Sequence, residues 1–110
     1  MKDENTLYLR HILDAIKDIE TYVRGLNEQK FLSNKLVQDA VIRNLEIIGE
    51  ATKKIEKVFK TKNPQIEWRK IAGMRDVLIH DYLGVDPAIV WRVIKNRLPQ
   101  LKKDIRAMVD

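Results

Sequence analysis

The chain has 110 residues, 45% apolar and 34% charged, with no cysteine, four glycines and three prolines. That is the length and composition of one globular domain with a core of its own. It leaves no material for disulfides, zinc fingers, thiol catalysis or iron–sulfur sites, and too few turn residues for a β-sandwich or barrel.

Lysine and arginine outnumber aspartate and glutamate 21 to 16, a net charge of +5 with a pI near 9.5. Residues 1–55 are balanced at nine of each sign, whereas residues 56–110 hold 12 basic and 7 acidic side chains. A polyanionic partner would therefore meet the second half; a solvated charged surface is the alternative reading of the same excess. No apolar run is long enough to cross a membrane, and Met1-Lys2-Asp3-Glu4-Asn5 leads into no signal-peptide core, so the expected location is the cytoplasm.

The first periodic stretch runs from Leu7 to Val23. Leu9, Ile12, Leu13, Ile16, Ile19, Tyr22 and Val23 recur at helical steps, Asn5 or Thr6 is positioned to cap the start, and Gly25 to end it in a left-handed conformation. The second stretch, Ser33 to Phe59, keeps the same period through Leu36, Val37, Ala40, Val41, Asn44, Leu45, Ile48, Ala51, Ile55, Val58 and Phe59. Ser33 is its expected cap, Gly49 a point of close helix approach, and Asn63-Pro64 its stop. Ile66 to Tyr82, with Gly73 in the middle, reads as a short helix and then a second, turn-bearing helical piece. Asp86-Pro87 starts the last helix, which carries Val90, Trp91, Ile94, Leu98, Leu101, Ile105 and Met108, with a kink or break expected near residues 95–99 from Pro99. No stretch alternates as a strand does. The expectation is a single all-α domain over residues 1–110, an antiparallel bundle of four to five helices.

Phosphate-cradling glycine loops are missing, and no glutamate is followed three residues later by histidine, which removes a di-iron bundle. Ser33 is the sole serine and lacks a nucleophile's context; His11 lies beside an apolar stripe and reads as a surface or boundary residue. One segment remains, Arg75-Asp76-Val77-Leu78-Ile79-His80-Asp81-Tyr82. It joins a fixed cation, a group that titrates near neutrality and a phenol, which suffice for RNA cleavage without a metal. Histidine can take the proton of a 2′-hydroxyl or give one to the leaving oxygen, arginine can hold the non-bridging oxygens, and tyrosine can orient phosphate or histidine. On an ideal helix Arg75 and Tyr82 fall within about 20° of each other, but His80 falls about 140° from Arg75. Convergence then needs a helix that ends or distorts near His80, which Gly84 and Asp86-Pro87 favour, or residues from two chains.

The segment Ile71 to Tyr82 resembles the R-x4-H-x-Y signature of HepT-like proteins of the HEPN superfamily, with Asp76 at the polar position after the arginine. Val41-Ile42-Arg43-Asn44-Leu45-Glu46-Ile47-Ile48-Gly49-Glu50-Ala51 is similar to that family's second-helix block, and Trp68, Val85-Asp86 and Trp91 also fit. The resemblance covers Leu9 to Ile105. It implies a HEPN-like helical fold and a dimeric toxin RNase with Arg75 and His80 catalytic, Asp76 supporting, and Tyr82 accessory and AMPylated. It implies no metal and no cofactor. The implied partners are RNA, a second copy, and a small MntA-like nucleotidyltransferase antitoxin that silences the toxin by AMP transfer to Tyr82.

Other residues of those blocks have plainer readings. Asn44 is expected to be a buried hydrogen-bonding residue, and Glu46 and Glu50 either hold basic residues of the signature helix or form a solvated acidic pair. Trp68 and Trp91 read as core or dimer contacts, not base-stacking platforms. A bundle this small is expected to leave part of such large apolar side chains for a second copy to cover. Two other functions compete: a non-catalytic subunit presenting a nucleotide or substrate to a nucleotidyltransferase, and a DNA-binding repressor. Arg75, His80 and Tyr82 together favour the enzyme over the first; the lack of helix-turn-helix spacing weighs against the second.

Overall fold

The computed structural model describes residues 4–73 and 85–109. Among them every regular element is helical: α1 Glu4–Val23, α2 Glu28–Leu32, α3 Lys35–Lys54, α4 Lys57–Lys62, α5 over 68–73, α6 Pro87–Asn96 and α7 Leu98–Val109. No helix among the described residues is long and apolar enough to cross a membrane.

The two 20-residue helices, α1 and α3, form the centre of the bundle. Leu9, Ile12, Ile16 and Ile19 on α1 share one buried cluster with Val41, Leu45 and Ile48 on α3. Full burial of a side chain of this size stabilises by about 1.5–3 kcal/mol, so this seam is the main source of cohesion. The pair runs antiparallel: at the start of α1, Tyr8 lies under the Lys54 ammonium from the last turn of α3, 6.0 Å from the ring centroid. Gly25 follows α1 with φ +81°, the left-handed turn expected of it. The α7 helix packs along α1, and a Lys102–Glu20 ion pair at 3.1 Å joins them.

Asn5 does not cap α1. It lies inside the helix, 5% exposed, accepts a hydrogen bond from the Glu56 backbone N–H at 3.0 Å and donates to Glu56 Oε1 at 3.1 Å. That contact belongs to a second correction. The long second helix is broken: α3 stops at Lys54, Ile55 and Glu56 are extended with ψ 136° and 144°, and α4 starts afresh. Nor does Ser33 start α3. It closes α2, and Asn34 caps α3 by accepting from Val37 N–H at 3.1 Å.

The α2 helix was not expected. Asn27 caps it, fully buried Phe31 fastens it to the core, and Gln38 Nε2 donates to the Phe31 and Leu32 carbonyls at 2.9 and 3.1 Å. At the other end, Asp86 accepts from Ala88 N–H at 2.9 Å with Pro87 in the first turn, as expected. The break near Pro99 is also present: α6 ends at Asn96, Arg97 caps it, and Pro99 sits in the first turn of α7, where its missing N–H costs nothing.

Three side chains placed on apolar faces are largely outside the core: Leu36 is 81%, Val58 64% and Tyr22 41% exposed.

Candidate functional site

Arg75, Asp76, His80 and Tyr82 lie outside the described residues, as does the helical piece expected up to Tyr82. The structure describes what leads into that segment and what receives it.

The lead-in is α4, a short connection, and α5. Asn63 ends α4: its N–H donates to the Lys60 carbonyl at 3.1 Å and its Nδ2 to the Phe59 carbonyl at 2.9 Å. Its own carbonyl accepts the indole N–H of Trp68 at 2.9 Å, so the first residue of α5 is tied to the end of α4. The Trp68 ring also meets Phe59 edge-on, with centroids 6.3 Å apart. Buried Ile66 lies between these contacts, and α4 and α5 are thereby joined as one block. On the receiving side, half-buried Val85 packs on the core and Asp86 caps α6.

A cleft of about 430 Å³ separates this lead-in from the α6–α7 corner. Ile66, Ile71, Val93 and Leu101 are among its apolar lining, with Lys70 and Arg97 at its polar edge. Glu67, which also lines it, pairs with Lys70 at 2.7 Å. The hydrogen bond and charge of Lys70, helped by the Arg97 guanidinium, hold the Glu67 carboxyl below its ordinary value. This cleft was not legible in the sequence, because it is made by elements that lie apart in the chain. Among the described residues no group of histidine, aspartate and glutamate is arranged to hold a metal ion.

The plainer readings hold for Asn44 and His11 but not for the acidic pair. Asn44 is buried and its Nδ2 donates to the Ala40 carbonyl at 3.0 Å. His11 is exposed, edge-on to Tyr8. Glu46 and Glu50 are half-buried, so neither is a freely solvated acid. Trp68 and Trp91 are each 8% exposed, which corrects the expectation that a second copy is needed to cover them. Trp91 packs against Phe31 with centroids 5.1 Å apart, and Lys95 Nζ sits 4.7 Å from its ring centroid, so both tryptophans are occupied as core residues.

Comparison with known proteins gives the wider setting. The model of the family described as ribonuclease HepT-like matches residues 12–108. A probable ribonuclease HepT of Thermococcus cleftensis is 48% identical over 102 residues, covering 93% of each chain. An RNase-named protein of Caldanaerobacter subterraneus subsp. tengcongensis is 39% identical over 102 residues, 93% of this chain and 91% of its own. A Methanocaldococcus jannaschii protein whose name pairs gamma-glutamylcyclotransferase with RNase is 43% identical over 110 residues; it matches all of this chain, which spans only 50% of its length. No solved structure matches. With a family match that runs through nearly every described helix and across the Arg75–Tyr82 segment, this chain belongs to the ribonuclease HepT-like family.

Proposed function

We propose that the chain is a metal-independent endoribonuclease, the toxin of a toxin–antitoxin pair. The observation that carries this reading is that the family match, residues 12–108, contains the whole Arg75-x4-His80-x-Tyr82 signature. His80 takes the proton of a ribose 2′-hydroxyl as its oxygen attacks the adjacent phosphorus, or returns a proton to the 5′-oxygen as the P–O5′ bond breaks. Arg75 holds the non-bridging oxygens as charge builds on them. Asp76 supports Arg75, and Tyr82 is accessory to the cleavage. A second copy completes a two-fold dimer whose paired basic halves strengthen the field on the strand. The proposed location is the cytoplasm, where RNA is accessible to it.

Control falls to an MntA-like nucleotidyltransferase. The Tyr82 phenol oxygen, its proton taken by a base in that partner, attacks the α-phosphorus of ATP and pyrophosphate leaves. The resulting tyrosyl–AMP sets a phosphate beside Arg75.

The test is cleavage by partner-free protein in EDTA. Purified protein is expected to cut RNA there, and His80→Ala and Arg75→Ala are each expected to slow it by about 10²-fold or more. Cleavage that survives His80→Ala in a nuclease-free preparation overturns the mechanism. A chain that binds RNA but leaves it intact would instead be a non-catalytic binding subunit.

A further inference from the structure

The cleft beside α5 has no preference for an anion, since the acids Glu67 and Asp104 line it together with Lys70 and Arg97. The charge is concentrated elsewhere. Residues 53–62 read Lys53-Lys54-Ile55-Glu56-Lys57-Val58-Phe59-Lys60-Thr61-Lys62, five lysines and one acid. The extended Ile55-Glu56 pair joins the end of α3, whose Lys54 ammonium lies over the Tyr8 ring, directly to the start of α4. Lys54, Lys57 and Lys62 are exposed there. Lys57 and Lys62 flank an open notch of about 310 Å³ with Val58 and Thr61. The one acid, Glu56, is held by Asn5.

Resting on the ribonuclease reading, we propose that Lys54, Lys57 and Lys62 form a docking surface for the phosphate backbone of RNA, separate from the cleavage signature. Three features favour a polyanion. Lysine heads on flexible stems act as point charges and suit phosphates without reading sequence. The only acid in the run has one carboxylate oxygen turned to an amide on α1. The patch is also fixed relative to the lead-in to the signature, because Asn63 and Phe59 of the α4 end hold Trp68. Arg75 follows Trp68 by seven residues. A chain of that length reaches at most about 25 Å, and the twelve residues from Trp68 to His80 at most about 43 Å, which bounds how far the signature can lie from the block. At about 3.4 Å per stacked nucleotide, a strand of roughly a dozen nucleotides spans the larger interval. The patch therefore holds RNA on one side while the signature cuts it nearby.

The test uses the full chain and an oligouridylate probe, with binding and cleavage measured separately over a salt series. Lys54→Ala/Lys57→Ala/Lys62→Ala is expected to weaken binding and raise KM about tenfold at low salt while kcat stays near the parent's. The slope of log K against log salt should become shallower by about 2, from three contacts at ~0.7 each. The matching triple arginine variant should restore both. Circular dichroism confirms that each variant is folded. A triple alanine variant with the parent's affinity and slope overturns the docking surface even if the parent cleaves RNA. Binding by the parent to phosphatidylserine vesicles but not to oligouridylate overturns it too. Failure to cleave, with lysine-dependent binding intact, removes the ribonuclease reading and leaves the surface standing.

Discussion

Asn5 shows what one side chain does in this fold. Its carbonyl oxygen receives the Glu56 N–H, which lies in the break between helices and has no helical partner, and its amide ties the Glu56 carboxylate. Asn5→Ala leaves that N–H to find another acceptor in a partly buried position, so a loss of about 1–3 kcal/mol is expected in urea unfolding at unchanged m-value. Asn5→Asp keeps the acceptor but sets a carboxylate against Glu56. Its loss should exceed that of Asn5→Ala at low salt and shrink as salt is added, because screening weakens the repulsion between the two carboxylates. A salt-independent difference between the two variants would mean that the Glu56 carboxylate does not meet position 5.

At the scale of elements, α2 is held to the bundle core by a single buried side chain. Phe31 is its only buried side chain, fully enclosed and against Trp91 of α6. Phe31→Ala is expected to cost about 3–5 kcal/mol, seen as a lower urea midpoint, because the site cannot collapse around a lost ring. The same element marks a limit of the sequence. Five residues hold little more than one helical turn, too few for a period to register, and Asn27 has no long apolar pattern behind it. The long helices were legible because Leu9 to Ile19 and Val41 to Ile48 repeat over several turns, and Asp86-Pro87 because capping chemistry is local. The break at Ile55-Glu56 was not, since Ala51, Ile55 and Phe59 continue the helical spacing straight through it. What accompanies the break is a contact with Asn5, 51 residues away. The candidate site was read from residue types at fixed spacing within Arg75–Tyr82; the cleft and the lysine corner needed the chain to be folded.

For the whole molecule, charge connects the proposed substrate with the proposed control. The net charge of +5 comes from residues 56–110, the half that contains both the lysines of α4 and the signature. Each AMP joined to Tyr82 adds a phosphodiester with one negative charge and a base, so modification reduces the attraction for RNA and fills the space where a scissile phosphate would sit. Silencing by this route needs no refolding: the modified chain should keep its circular dichroism spectrum, leave a cation exchanger earlier, and lose cleavage. Mass spectrometry of protein co-expressed with a nucleotidyltransferase partner should find AMP units on the peptide containing Tyr82, and none in Tyr82→Phe. On these proposals the lysine corner and AMP on Tyr82 would act on different steps, which separates them in one experiment. Lys54→Ala/Lys57→Ala/Lys62→Ala raises KM without blocking AMP transfer, whereas AMP on Tyr82 removes turnover with the lysines intact. A fully silenced complex that yields an unmodified Tyr82 peptide would leave simple coverage by the partner as the mode of control.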